Sequence, residues 1–310
     1  MALRSINTFA GNPLDRAGDR RNDADWLARQ GADPEALALV LWNGGPLIED
    51  HADGPRLAWL GLDHARDVAP GREVFLGLWK SAPVFAVEFE GSADPAAGPL
   101  LGLGGFHDMR TAATLLPGAE AAMAGGAKSL FDWRGRHGFC SACGQMTADA
   151  CGGWKRICPA CSTEHFPRVD PVAIMLPIYD GGPEPLCLLG RQAAWPEGRM
   201  SALAGFVEPG ESLEEACARE IAEEAGLTAT AVRYHSSQPW PFPSQLMIGL
   251  MAQVSDDQAR PDQTELESVA WLTRAEAAAV LSGSHPSIKA PPPIAIARTL
   301  IQAWVDGFDP

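Results

Sequence analysis

The sequence predicts an α/β protein in which a small α+β domain, a cysteine-rich module and a larger α/β domain follow one another. Three observations predict it. Short apolar runs precede two helical stretches up to residue 136, two Cys-x-x-Cys pairs lie within 137–167, and strand-like and helix-like runs alternate from 168 onward. At 310 residues the chain can form two sizeable cores plus a small module. We therefore expect a mobile arm over 1–20 and three folded parts over 21–136, 137–167 and 168–310.

The first folded part is predicted to be a small mixed sheet followed by two helices. Its apolar or alternating runs are short and are separated by Gly, Pro and Asp, which is typical of strands. A loop over 91–98 closes this set, and the second of the two helices carries an alanine-rich apolar stripe. The expected strands are 37–42, 56–60, 73–79 and 84–89, and the expected helices are 111–116 and 119–133.

The two Cys-x-x-Cys pairs, separated by fourteen residues, are formed by Cys140, Cys143, Cys158 and Cys161. Each pair can form a tight knuckle, and four thiolates complete a closed tetrahedral zinc site of the structural type. Two disulfides are the alternative. Paired Cys-x-x-Cys turns are more typical of a metal site than of disulfides that cross-link loops, and the absence of a signal peptide is unfavourable to disulfides. We expect one structural zinc ion per chain, and we expect Cys187 and Cys217, which lie in apolar runs, to be buried and unreactive.

The last domain is predicted to alternate strands and helices. Two strands pair around a Gly-Gly turn, and a helix over 213–225 ends at Gly226, a residue that readily adopts the left-handed conformation of a helix end. The expected strands are 172–179, 185–189, 229–235 and 246–254, and two further helices are expected at 274–281 and 294–305.

The helix over 213–225 brings three carboxylates together. Glu223 and Glu224 follow Glu220 by three and four residues, so all three side chains project from one helical face. Leu213 and Cys217 share a narrow stripe with Glu224, which predicts that part of this face is turned inward. Buried carboxylates are costly unless cations compensate them, and hard divalent ions such as Mg²⁺ or Mn²⁺ prefer oxygen ligands. The alternative is a solvated acidic surface.

The spacing around this helix resembles the Nudix box. Its fixed positions are Gly205, Glu211, Arg219, Glu220, Ile221, Glu223, Glu224, Gly226 and Leu227. The resemblance implies an α/β/α sandwich in the last domain and metal-assisted attack of water on a diphosphate. It also implies that Glu220, Glu224 and the backbone carbonyl of Ala204 bind the metal. Glu223 either binds the metal or orients the water, and Arg219 orients the glutamates.

A proline-rich run eleven residues beyond the box narrows the resemblance. Ser-Gln-Pro-Trp-Pro-Phe-Pro over 237–243 has three prolines, which stiffen the backbone and remove hydrogen-bond donors, and two aromatic residues that offer flat apolar surfaces. Together with the cysteine pairs, this run resembles the NADH pyrophosphatase (NAD diphosphatase) family. In that family the run is followed by any residue and then by a serine, whereas in this sequence it is followed by Ser244 and Gln245. A plain linker is the alternative. The family implies substrate contacts at Gln238, Pro239, Trp240, Pro241, Phe242, Pro243, Ser244 and Gln245.

Further positions are similar to the same family over most of the chain. Arg110 matches an arginine used toward substrate, and Phe166 and Phe206 match aromatic residues that would sandwich the base-like end of the substrate. Glu265 matches a metal-binding glutamate outside the box, with Glu267 as its competitor. Ala297 matches a substrate contact near the end of the chain.

The resemblance implies hydrolysis of NAD(H) to AMP and nicotinamide mononucleotide, and the family also removes NAD caps from RNA 5′ ends. It implies Mg²⁺ or Mn²⁺ at the glutamates, and a homodimer with substrate pockets near the subunit boundary. Two alternatives stay open: a Nudix hydrolase for ADP-ribose or another nucleoside diphosphate derivative, and a non-catalytic zinc-ribbon binding protein. The intact set of glutamates is unfavourable to the second.

Composition sets limits on partners. The formal net charge of −15 is unfavourable to nonspecific nucleic-acid binding through many phosphates. The chain has no run of 18 apolar residues and no cleavable apolar leader, so we expect no membrane contact and a cytoplasmic protein. A basic rim in the cysteine module is a candidate place for an RNA 5′ end, with ordinary surface as the alternative. It consists of Arg134, Arg136, His137, Lys155, Arg156 and Arg168.

Overall fold

The structure is a computed structural model, and it describes residues 7–68 and 72–310. The chain forms two compact units. The first contains Phe9–Val169 and Trp240–Ser244, and the second contains Asp170–Pro239 and Gln245–Pro310 together with Asn7 and Thr8.

The first unit is a seven-stranded mixed sheet with helices, followed by a three-stranded sheet in the cysteine module. Strands are hydrogen-bonded in the order β3-β2-β1-β6-β5, with β4 on β1 and β7 on β2, and β1 runs parallel to β6. Its elements are α1 (Ala24–Gly31), β1 (Leu37–Trp42), β2 (Gly45–His51), β3 (Gly54–Leu57), β4 (Trp59–Gly61), α2 (Leu62–Val68), β5 (Arg72–Trp79), β6 (Ala82–Phe89), β7 (Gly105–Phe106), α3 (Met109–Leu115), α4 (Gly118–Arg136), β8 (Ala148–Ala150), β9 (Lys155–Ile157) and β10 (Glu164–His165).

The start of the chain differs from the mobile arm predicted over 1–20. Phe9, Leu14 and Ala17 are buried, and Asp15 exchanges backbone hydrogen bonds with Leu78 of β5 at 3.0 and 2.8 Å. These apolar side chains are single residues among polar ones, so no periodic pattern indicated their burial. The segment is therefore anchored as far as Ala17, whereas residues 18–20 are exposed, and residues 1–6 of the predicted arm lie outside the described part of the chain.

The second unit has the predicted α/β/α sandwich. Its six-stranded sheet has the order β14-β15-β11-β12-β16, with β13 on β11, and β11 runs parallel to β15. Its elements are β11 (Asp170–Tyr179), β12 (Leu186–Arg191), β13 (Leu203–Phe206), α5 (Leu213–Ala225), β14 (Ala229–Trp240), β15 (Gln245–Val254), β16 (Ser268–Thr273), α6 (Arg274–Ser282) and α7 (Ile296–Val305).

The sandwich follows from the alternation of side chains along β11. Ala173 and Met175 belong to the apolar cluster under α5, whereas Ile174, Leu176 and Ile178 belong to the cluster under α6 and α7. Successive residues of a strand point to opposite faces, so a strand that is apolar at every position is covered on both sides. The helix α5 is thereby fixed against one face of the sheet, with its acidic end beside β13.

Among the described residues, no helix combines the length and the apolar character needed to cross a bilayer.

Candidate active site and zinc site

The carboxylate-bearing helix has well-defined ends. Ser212 accepts a hydrogen bond from the Glu215 amide at 3.2 Å, and the Glu215 carboxylate accepts one from the Ser212 amide at 2.7 Å, which is a capping box. Gly226 ends the helix at φ +68°, a conformation that costs glycine nothing. The helix bounds, 213 to 225, are those predicted, so the three glutamates share one face as expected.

The three glutamates differ in exposure. Glu224 is 3 % exposed and Glu220 7 %, whereas Glu223 is exposed to solvent. The inward stripe expected from Cys217 and Glu224 is thus present. Two carboxylates lie in the protein interior, and an ionised carboxylate there requires compensating positive charge.

Gly205 on β13 allows the helix to approach the sheet. A Cβ atom built on Gly205 would overlap the carboxyl group of Glu220, so any other residue would displace that side chain. Gly205, the first glycine of the box, is therefore needed because it leaves space for the side chain of Glu220.

Arg219 organises the carboxylates as predicted. Its guanidinium donates to Glu211 at 2.6 and 2.9 Å, to Glu220 at 2.7 Å, to Glu223 at 2.9 Å and to the Phe206 carbonyl at 2.9 Å. The hydrogen bonds from Arg219 are the largest cause that lowers the pKa of Glu211 to about 2. Arg219 is thereby occupied by protein groups and fixes the rotamers of its partners.

Glu224 forms no salt bridge with any of the described residues. Its Oε2 atom is buried and has no hydrogen-bond partner among the described residues. Burial, together with the charges of Glu220, Glu265 and Asp262, raises its pKa to about 8, against a backbone hydrogen bond from Ala204 that lowers it. Burial also raises the pKa of Glu220. An orphaned buried oxygen amid three other carboxylates fits a divalent cation with oxygen ligands.

The structure separates the two candidate glutamates beyond the box. Glu267 pairs with Arg191, whereas the charge of Glu265 acts on Glu220 and Glu224. Glu265 thus lies with the buried carboxylates, and Glu267 is directed to an ion pair.

Asp262 was missed by sequence reasoning. Its carboxylate accepts hydrogen bonds from the amides of Glu265 at 3.0 Å and Leu266 at 2.9 Å, and its own amide donates to the Glu224 carbonyl at 3.2 Å. This turn holds the loop that carries Glu265 at the end of α5. The only sequence signal for this turn is an aspartate three residues before a glutamate, since aspartate often begins a turn.

The four cysteines of the two pairs converge on one point in the first unit. Their Sγ atoms all lie within 4.8 Å of one another, and the cross-pair distances are 3.6 Å for Cys140–Cys161 and 3.5 Å for Cys143–Cys158. All four are free thiols, so the disulfide alternative is wrong. Four sulfurs at about 2.3 Å from a tetrahedral zinc are separated by about 3.8 Å, and the observed spacing fits.

Each knuckle has the same backbone geometry. The amide of Gly144 donates to the Cys140 carbonyl at 2.9 Å, and the amide of Ser162 donates to the Cys158 carbonyl at 2.8 Å. Gly144 and Ser162 both have positive φ, which closes each turn back toward its first cysteine. The knuckles are thereby shaped for metal binding by the backbone alone.

Three of the six residues of the basic rim form ion pairs within the protein. Arg134 and Arg156 both pair with Asp149, and Lys155 pairs with Glu164. Arg134 is also buried and donates to the Glu73 carbonyl at 2.6 Å. These three cations stabilise the module, which favours the ordinary-surface alternative for them.

The structure brings together three of the predicted substrate contacts in the first unit. The Arg110 guanidinium carbon lies 4.0 Å from the ring centre of Phe242 and 5.5 Å from that of Trp240, and the two ring centres are 4.9 Å apart. Arg110 is exposed in the first turn of α3, and both rings are half-buried. A cation over two aromatic rings forms one continuous surface.

The other predicted substrate contacts of the run differ in how far they are exposed to solvent. Pro239 is exposed, Pro241 is buried, and Pro243, Ser244 and Gln245 are half-buried. Gln238 is fully buried, and its amide donates to the Ile294 and Thr8 carbonyls and accepts from the Ile296 amide. All its polar atoms are therefore used within the protein, and the side chain anchors the run instead of facing a ligand.

The remaining predicted contacts are exposed aromatic residues and one buried alanine. Phe166 in the first unit is 63 % exposed and Phe206 in the second is 54 % exposed, so each has a free face, while their sandwich stays a prediction. Ala297 lies in the first turn of α7 and is buried in the core. Its methyl group is therefore unavailable to a substrate.

Comparisons with known proteins agree with this architecture. Residues 169–291 match the NUDIX domain, residues 35–133 match the NADH pyrophosphatase-like rudimentary NUDIX domain, and residues 136–166 match the NADH pyrophosphatase zinc ribbon domain. The zinc ribbon match and the four converging thiols together assign a structural zinc site, and the Nudix match implies a divalent metal at the glutamates.

Curated relatives cover nearly the whole chain. The NAD-capped RNA hydrolase NudC of Mycobacterium tuberculosis is 36 % identical over 310 residues, which cover 97 % of this chain and 96 % of that protein. The NAD-capped RNA hydrolase NUDT12 of Homo sapiens is 33 % identical over 347 residues, which cover 96 % of this chain and 73 % of that protein. The chain therefore belongs to the NADH pyrophosphatase family of Nudix hydrolases.

Proposed function

We propose that this protein hydrolyses the diphosphate of NAD(H) to AMP and nicotinamide mononucleotide, and that it also removes NAD caps from RNA 5′ ends. The observation that carries the proposal is the buried, uncompensated carboxylate of Glu224 inside an intact Nudix box. The named activities of the two relatives support the substrate class.

The chemistry is assigned to the face of α5. Glu220, Glu224 and Glu265 provide carboxylate oxygens, with the carbonyl of Ala204 as a further oxygen ligand. Bound Mg²⁺ or Mn²⁺ neutralises the diphosphate and lowers the pKa of a water. Glu223 is exposed and held by Arg219 at 2.9 Å, so it can bind a cation or orient the water without a rotamer search.

Substrate recognition is assigned to aromatic and cationic groups that are at least partly accessible to solvent. Arg110, Trp240 and Phe242 provide two aromatic rings inclined at 66° beside a positive charge, which suits an aromatic ring next to a phosphate. Phe166 and Phe206 are proposed to stack on the base. The diphosphate, the aromatic rings and the ribose of NAD(H) offer complementary groups to these residues.

A homodimer and a cytoplasmic location complete the proposal. Seven cysteines without a disulfide suit a reducing compartment. Aromatic anchors stiffened by prolines, as in the run over 237–243, are typical of subunit boundaries. Light scattering at micromolar concentration should report a dimer.

The experiment that tests the function compares kcat/KM for NADH, NAD⁺, NAD-capped RNA and ADP-ribose under identical Mg²⁺ or Mn²⁺. We expect NADH to exceed ADP-ribose by tenfold or more, because ADP-ribose lacks the nicotinamide ring that Trp240 and Phe242 would contact. Equal values for the two would contradict the assignment of the recognition surface, and a higher value for ADP-ribose would support the alternative Nudix function.

A further inference from the structure

The N-terminal segment runs beside the proline-rich run through a series of side-chain contacts. Asn7 donates to the hydroxyl of Ser236 and to the carbonyl of Ser237, both at 3.0 Å. The Gln238 amide then donates to the Thr8 carbonyl at 3.0 Å. These contacts lie within the second unit, and they fix the backbone over 236–238.

The next residue, Phe9, contacts both aromatic rings of the run within the first unit. Its ring centre lies 6.1 Å from that of Trp240 and 6.1 Å from that of Phe242, with interplanar angles of 80° and 73°. These are edge-to-face arrangements, which have a preferred geometry and therefore orient the rings they join. Phe9 is 3 % exposed, so it touches the two rings from the interior side.

Two features show that Phe9 is held in place. Its φ is +66°, a conformation that is rare and costly for a bulky side chain and persists where the surroundings determine it. The ring also packs against Gly125 of α4, where an added Cβ would be 2.8 Å from the Phe9 ring and 3.4 Å from Pro241. A glycine in the middle of a helix lowers helix propensity, and here it leaves room for the ring.

We infer that Phe9 is a positioning residue for nicotinamide recognition: it orients Trp240 and Phe242 so that, with Arg110, they present one surface to the substrate. The inference rests on the proposed function for its substrate and on the aromatic contacts for its geometry. Phe9 is buried below the rings, and it acts through them.

The test uses Phe9→Ala, with Leu14→Ala as the matched control. Leu14 belongs to the same segment and is also buried, but it packs beside Gly77 of β5. We expect Phe9→Ala to raise KM for NADH about tenfold, with kcat and the KM for ADP-ribose within twofold of wild type. Leu14→Ala should lower the melting temperature and leave both KM values unchanged.

A second variant perturbs the ring without removing it. Gly125→Ala places a methyl group 2.8 Å from the Phe9 ring, so the ring must shift, and the improved helix propensity of α4 offsets part of the cost of this overpacking. We expect it to raise KM for NADH in the same direction as Phe9→Ala. Equal losses for NADH and ADP-ribose in both variants would overturn the inference, because they would indicate a general loss of active protein.

A readout without substrate separates this inference from the proposed function. With 5-fluorotryptophan labelling, the Trp240 fluorine resonance can be assigned from Trp240→Phe. Phe9→Ala and Gly125→Ala should shift or broaden it, and Leu14→Ala should not. An unchanged resonance in both variants would overturn the positioning role. A shifted resonance in a protein that does not cleave NADH would overturn only the proposed function.

Discussion

Glu224→Gln should stabilise the protein free of its catalytic metal while removing activity. Glu224 is buried, its Oε2 has no partner among the described residues, and its pKa is raised from 4.5 to about 8. The folded protein therefore holds a proton that the unfolded chain releases above its ordinary pKa. Stability must fall as the pH rises from about 5 to 8, since the unfolded state then binds fewer protons than the folded state.

The magnitude follows from the two pKa values. Between 4.5 and about 8, at about 1.4 kcal/mol per pH unit, ionising the buried group costs at most about 5 kcal/mol. The part lost between pH 5 and pH 8 is about 3 kcal/mol, because the unfolded carboxyl is already largely ionised at pH 5. Glutamine keeps the shape of the protonated side chain without the charge, so the variant should lack this contribution.

The assay is thermal unfolding of wild type and Glu224→Gln at pH 5, 6, 7 and 8, after dialysis against citrate and confirmation that the zinc is retained. The difference between the two proteins should be small at pH 5 and should grow to several degrees in favour of the variant at pH 8. Added Mg²⁺ should raise the melting temperature of the wild type at pH 8 more than that of the variant, because it binds the folded state through this carboxylate.

The activity of the variant completes the test. Its kcat for NADH should fall about a hundredfold or more at saturating Mg²⁺, since a charged ligand is lost from the chemical step. Parallel pH profiles of stability for the two proteins, or near-full turnover by the variant, would refute the account of Glu224 as a buried metal ligand.

Three further predictions concern other parts of the molecule. Glu265→Gln should lower kcat about as much as Glu224→Gln, and Glu267→Gln should lower it less than twofold, since Glu267 is engaged by Arg191; steady-state kinetics in the reverse order would mean that the wrong carboxylate was chosen. Cys143→Ser should cost zinc and melting temperature before it affects chemistry, as metal analysis and calorimetry will show; a variant that keeps one zinc and its stability contradicts the zinc site. Trp240→Ala should weaken both dimerisation and NADH selectivity, measured by light scattering and by kcat/KM for NADH against ADP-ribose; a wild-type monomer together with unchanged selectivity leaves the run as a linker.

The elements that were predicted best are those whose capping residues and apolar pattern indicate the same helix or strand that their packing stabilises. The bounds of α5 follow from Ser212, the glutamate three residues later and Gly226, and all three act in the structure as their residue types require. The strand at 37–42 was likewise found, because its continuous apolar run is buried between layers. The helix α1 was missed because it is only eight residues long, and its two large apolar side chains, Trp26 and Leu27, pack against the core but are too few to define a period.

In the candidate site, composition and spacing identified the functional side chains, but they did not predict how deeply these side chains are buried or what they contact. The glutamates on α5 and the two cysteine pairs are defined by short spacings, which fix geometry within one helix or one knuckle. Gln238 is buried because it contacts a segment more than fifty residues away in the chain. Ala297 is buried because it belongs to the core beneath α7. The packing of Phe9 is of the same kind, because nothing near it in the chain indicates its partners.

The most direct test of the central claim is product analysis after reaction of the purified protein with NADH and Mg²⁺ or Mn²⁺ in ¹⁸O-labelled water, by chromatography and mass spectrometry. We expect equal amounts of AMP and reduced nicotinamide mononucleotide, one ¹⁸O atom in the phosphate of one product per cleavage, and no cleavage without the divalent metal. Release of free nicotinamide, or intact NADH beside cleaved ADP-ribose, would contradict it.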